Sequence, residues 1–140
     1  MTPDEMKTRA KQFGLRVIRL AASLPRNRMG DDIGRQLLRA GTSIGANYRV
    51  ACRSRTDKDF LARMGIVEEE ADEALYWLEL LADDGIVTAE RLVDLQTEGN
   101  EILAIVVASN NTVKRRLGTA RKPKIDSFAV NPKSAIRNPK

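Results

Sequence analysis

Glu68, Glu69, Glu70, Asp72 and Glu73 crowd into six consecutive positions, and carboxylates are the side chains that bind divalent metal for hydrolytic or nuclease chemistry. Their spacing argues against that use. On a helix, successive residues turn by about 100°, so these groups fan around the axis and cannot all converge on one ion. A solvated acidic face is the simpler reading. Other catalytic devices fail on inventory. The chain has no histidine, which excludes Ser-His-Asp and Cys-His nucleophilic sites and histidine-bearing metal sites. Thr42 and Ser43 have no neighbouring base to activate them. The chain therefore reads as a non-enzyme, with neither a metal nor a cofactor implied.

Cationic side chains offer a different chemistry, the neutralisation of phosphate. Arg28, Arg35, Arg39, Arg49 and Arg53 fall within a sector of about 80° when placed on one helix. A second basic run holds Lys114, Arg115, Arg116, Arg121, Lys122 and Lys124. Together these eleven are the candidate nucleic-acid contacts. The bland alternative for the ridge is pairing within the chain, because residues 57–84 carry ten acidic side chains against two basic ones. Net charge divides sharply: residues 1–117 hold 18 basic and 18 acidic residues, whereas 118–140 hold six basic residues and only Asp126. The +5 excess thus lies in the tail. With six aromatic residues in all, stacking platforms for bases are scarce, so recognition by shape and backbone is expected.

The elements that must carry these groups are helical. A length of 140 residues suits one domain. The single cysteine, Cys52, cannot form an internal disulfide, and no apolar run resembles a signal peptide or membrane span. A soluble, cytoplasmic protein is expected. Thr2 and Glu5 have capping-box spacing and Pro3 suits a first turn, so a helix runs from about 3 to 24 with Met6, Ala10, Phe13, Val17, Leu20 and Leu24 on one face. A second spans about 31–54, carrying Ile33, Leu37, Ala40, Ile44 and Ala51; a third spans 57–84 and stops at Gly85; a fourth spans 88–117 behind Thr88. These make an all-α, antiparallel up-down-up-down four-helix bundle over residues 1–117, followed by a basic, disordered tail over 118–140 that is rich in proline.

Two features of this pattern ask for partners. Gly41 and Gly45 lie near the apolar stripe of the second helix, where their cost of up to about 1 kcal/mol each is offset if another helix approaches closely. The third helix has a second apolar face, Ile66, Tyr76, Trp77 and Leu80, with Glu69 and Glu73 between them. One bundle core cannot bury both sides of a helix, so these six residues are the candidate subunit interface.

The blocks "GRQLLRAGTSIGANYRVA" at 34–51 and "RSRTDKDFLARMGIVEEEADEALYWLELL" at 53–81, with "LAASLP" before them, resemble the four-helix bundle protein family, also called the 23S rRNA intervening-sequence proteins. The likeness covers roughly residues 10–115 and leaves the tail outside it. It implies a four-helix bundle that forms a homopentamer. A related branch, the accessory proteins of diversity-generating retroelements, binds RNA and a reverse transcriptase, so RNA, a ribonucleoprotein or a reverse transcriptase are the implied partners. A structural protein-interaction module without nucleic acid is the competing expectation. The signature positions are Gly41, Ser43, Ile44, Gly45, Ala46, Asn47, Tyr48, Arg49, Glu70, Tyr76, Trp77, Glu79 and Leu80, which the resemblance marks as packing and assembly residues. Val50 and Glu69 depart from the family pattern.

Overall fold

Helix starts follow from side chains that satisfy the first exposed amides. Thr2 Oγ1 accepts the Glu5 amide at 3.1 Å while the Glu5 carboxylate accepts the Thr2 amide at 2.8 Å, a reciprocal cap that opens α1 (Pro3–Ala22). Asn27 is extended and its side chain accepts the Gly30 amide at 2.9 Å, opening α2 (Arg28–Ala51). Thr56 does the same for the Asp59 amide at 3.1 Å, ahead of α3 (Asp57–Asp83). Thr88 takes the cap position of α4 (Ala89–Arg116) without a side-chain hydrogen bond. The computed structural model describes residues 1–118.

The four helices are those expected, with ends that shift for local reasons. The first closes at Ala22 rather than 24, because Pro25 disfavours helical backbone at the residue before it. The second begins at Arg28 rather than 31 because Asn27 is already a cap, and it ends at Ala51 rather than 54. Residues 52–56 are needed to reverse the chain direction. Gly85 has φ +79°, the left-handed conformation that glycine adopts without strain, so the third helix stops just before it. The expected tail, apart from Gly118, lies outside the described residues.

Each helix packs on its sequence neighbours and α4 closes against α1, with α1 and α3, and α2 and α4, standing diagonal to each other. Phe13, Val17, Leu37, Ile44, Met64, Leu78, Leu92 and Ile102 fill the centre and are at most 1% exposed. At the α1–α2 seam, a Cβ added at Gly41 would lie 2.8 Å from Val17 Cγ2 and 2.9 Å from Cγ1, whereas one at Gly45 would meet Ala10 Cβ at an ordinary 3.5 Å. Close approach is therefore concentrated at Gly41. Gly45 is only half-buried and faces the outer groove between the two helices.

Polar contacts fix the remaining seams. Asn110 is 3% exposed and donates to the Glu68 carboxylate at 3.0 Å, tying α4 to α3, while its Oδ1 finds no partner among the described residues. Arg9 clamps α1 to α4 with two bonds to Glu98, at 2.6 and 2.9 Å, and a third to Glu101. The Arg9 guanidinium holds the Glu98 carboxyl below its ordinary 4.5. A carboxyl lowered by folding adds stability at neutral pH that is lost as acid titrates the folded group. Thermal melting followed from about pH 6 to about pH 3 should therefore fall more steeply for the parent chain than for Glu98→Gln, with the difference emerging below the ordinary carboxyl value. Parallel curves would show that the clamp adds nothing.

Candidate nucleic-acid interface

The antiparallel topology gathers the first turn of α1, the α2–α3 connection and the last turn of α4 at one end of the bundle. There, residues 1–7, 49–59 and 114–116 bring eight basic side chains against four acidic ones. At the opposite end, residues 22–32 and 79–94 hold three basic against seven acidic. A body that is neutral in sum is thus polarised along its long axis, and field from clustered like charges attracts phosphate even when the net charge does not.

This arrangement divides the arginine ridge. Arg28 and Arg35 share Asp32, at 3.8 and 2.6 Å. Arg39 reaches across to α3, 2.5 Å from Glu73 and 3.3 Å from Glu70. The Trp77 indole N–H and then Arg39 hold the Glu73 carboxyl below its usual range. These three arginines are paired within the chain. Arg49 and Arg53 are exposed, belong to the basic end, and have no carboxylate partner among the described residues; Arg53 donates to the Arg49 carbonyl at 3.4 Å.

The C-terminal run divides in the same way. Arg116 is held by both oxygens of Asp57, at 2.9 and 3.0 Å, and draws that carboxyl below its usual range. Lys114 and Arg115 are exposed, and Arg115 donates to the Thr112 hydroxyl at 3.4 Å. Arg121, Lys122 and Lys124 lie outside the described residues. Sequence reasoning missed Arg55, Lys58 and Lys7, which the fold adds to this end. A helical-wheel argument could not find them, because Arg55 sits in a turn and the other two lie on different helices.

The other expected sites are distributed as follows. On α3, Ile66, Glu73, Trp77 and Leu80 are half-buried while Glu69 is exposed and Tyr76 is 53% exposed. Trp77 packs partly against the core and its ring meets that of Tyr76 edge-on at 5.5 Å. Ile44 and Tyr48 are core. Ser43 bonds back to the Arg39 carbonyl at 2.6 Å. Asn47 accepts from Arg63 on α3 at 3.1 Å, which together with Arg39, Glu70 and Glu73 joins α2 to α3 despite Val50 and Glu69. Ala46 lines the outer α1–α2 groove, and Glu79 the outer α3–α4 groove.

The blocks that carry the signature thus face each other across the α2–α3 seam, and a family model described as "23S rRNA-intervening sequence protein" matches residues 4–108. The chain belongs to that family. The 23S rRNA-intervening sequence protein match runs from α1 to Ala108 in α4 and stops before the basic run at 114–116. A crystal structure from Bacteroides thetaiotaomicron, described as a protein of unknown function from the S23 ribosomal protein family, is similar at 31% identity. The likeness covers 79% of this chain and 99% of that one, with a TM-score of 0.74. Comparison with curated proteins finds no significant match. Among the described residues no helix is long and apolar enough to cross a membrane.

Proposed function

We propose that this chain is a non-enzymatic, self-assembling scaffold that binds structured RNA through the basic end of its bundle. The observation that carries this reading is the grouping of Arg49, Arg53, Arg55 and Lys58 on one exposed end, without carboxylate partners among the described residues. The family takes its name from an rRNA context, which favours RNA over an acidic protein. Binding held by phosphate contacts weakens with salt, because each neutralised phosphate releases counterions. An RNA hairpin titrated at several salt concentrations tests this: affinity falling steeply with salt is expected, and no binding at low salt overturns the reading.

Self-assembly is supported by two surfaces of opposite character. Around the exposed Tyr76, α3 presents Glu69, Asp72, Glu73 and Glu79. Away from the basic end, the outer α1–α2 groove presents Lys11 beside Leu15 and Ile18, the last 45% exposed. A contact between two unlike surfaces of one chain is head-to-tail, and it gives a ring when the rotation closes; the fivefold ring of the family resemblance is of this kind. A ring would repeat the basic end once per subunit and raise RNA avidity. Tyr76→Ala should shift the chain toward monomer by about 2 kcal/mol, roughly thirtyfold in association, because an exposed aromatic anchor is lost. Its melting temperature as a monomer should hardly change, unlike that of Trp77→Ala, whose ring also packs on the core. Light scattering at micromolar concentration checks both, and a parent chain that is already monomeric removes the assembly.

A further inference from the structure

The basic end is not a closed surface. Between the first turns of α1 and the last turns of α4 it opens into a cavity of about 650 Å³, within the range of small-ligand sites. Its floor is closed by the core residues Met6, Met64 and Val106, each at most 2% exposed, while Ile105 and Phe60 line it with side chains only partly buried. Polar groups stand at defined points. Tyr48 and Ser109 line the cavity, with the Tyr48 hydroxyl pushed by burial above its ordinary range. At the rim stand Arg55 and Lys7, the latter 3.9 Å from the exposed Asp4 carboxylate, with Arg116 held by Asp57.

We propose that this cavity takes one unpaired nucleotide of the bound RNA, its base beside Phe60 and its phosphate at the rim between Lys7 and Arg55. This inference rests on the RNA reading above and adds a site to it. A base has an apolar face and polar edges, and this cavity offers the Phe60 ring and the apolar Ile105 with the Ser109 hydroxyl beside them. A fully apolar ligand would leave the half-buried Ser109 hydroxyl unmatched, and duplex RNA cannot enter a space of this size. The few aromatic residues that made stacking unexpected from sequence include two, Tyr48 and Phe60, that the fold brings to the basic end.

The test compares two hairpin RNAs, one blunt and one with a single unpaired 3′ adenosine, titrated against the full chain, Ser109→Phe and Phe60→Leu. Ser109→Phe fills the cavity without altering charge, and Phe60→Leu removes the ring while keeping an apolar side chain should the first variant fold poorly. The unpaired adenosine should tighten binding at least about fivefold, the effect of one stacked base. Either variant should bring that ratio to about one while leaving blunt-hairpin affinity unchanged. Equal binding of the two hairpins by the parent overturns the cavity site and leaves the RNA reading standing. Failure of both hairpins to bind overturns both. Adenosine monophosphate binding as tightly as the overhang hairpin overturns the proposal in favour of a free-nucleotide site.

Discussion

A chain in which Arg49, Arg53, Arg55 and Lys58 are replaced by glutamine should lose most of its affinity for hairpin RNA at low salt and much of its salt dependence. If all four contact phosphate, the slope of log affinity against log salt becomes shallower by about 3.6, at about 0.9 per contact. Between about 50 and 200 mM salt the parent should then lose roughly a hundredfold more affinity than the variant. The contrast with the rest of the ridge is the informative part. Arg28→Gln with Arg35→Gln removes two charges that already share Asp32, so the slope should change little. Filter-binding or anisotropy titrations at three salt concentrations separate the two variants. If they behave alike, RNA does not distinguish the basic end from the ridge, and the proposed interface is wrong. Because the four residues are exposed or lie in the α2–α3 connection, circular dichroism of the variant should match the parent.

The second large effect concerns stability. Gly41→Leu should destabilise the bundle by about 3 kcal/mol, since overpacking costs about 1 to 3 kcal/mol or more and exceeds the helix-propensity gain of about 1. Its neighbour across the seam decides this. The Val17 side chain is fully buried and branched at Cβ, with little rotamer freedom, so a new Cβ at 2.8 Å must push α1 and α2 apart. A loss of that size lowers the melting temperature by roughly 10 °C or more for a domain of this length. Gly45→Ala should be neutral or stabilising by up to about 1 kcal/mol, because the added methyl meets Ala10 at ordinary distance. Thermal melts of the two variants side by side check the pair. A Gly41→Leu chain that melts at or above the parent would show that the seam yields easily.

Much of the architecture was legible from local rules. Four apolar stripes of helical period, the Thr2–Glu5 cap, Pro25 and Gly85 place the helices within a few residues, because each signal acts over one turn of chain, whereas the Thr56 cap emerged only in the structure. The division of charge between residues 1–117 and 118–140 is likewise a property of composition. The second apolar face of α3 was visible too, although only the fold shows that Trp77 is half-covered while Tyr76 is the exposed ring.

What local rules could not decide is which charges meet. On a helical wheel Arg39 and Arg49 are equivalent members of one ridge, yet Arg39 is bound by Glu70 and Glu73 while Arg49 has no carboxylate partner among the described residues. The difference arises from the register of α3 against α2, over separations of 31 and 34 residues, and Arg116 meets Asp57 across 59. Such pairings depend on how far one helix slides along another, a quantity that side-chain periodicity leaves open. For the same reason only the tertiary structure separates Gly41 from Gly45, since Val17 faces one and Ala10 the other. The helices were determined by sequence; the basic end, assembled from three distant segments around one cavity, was decided by the antiparallel packing that brings those segments together.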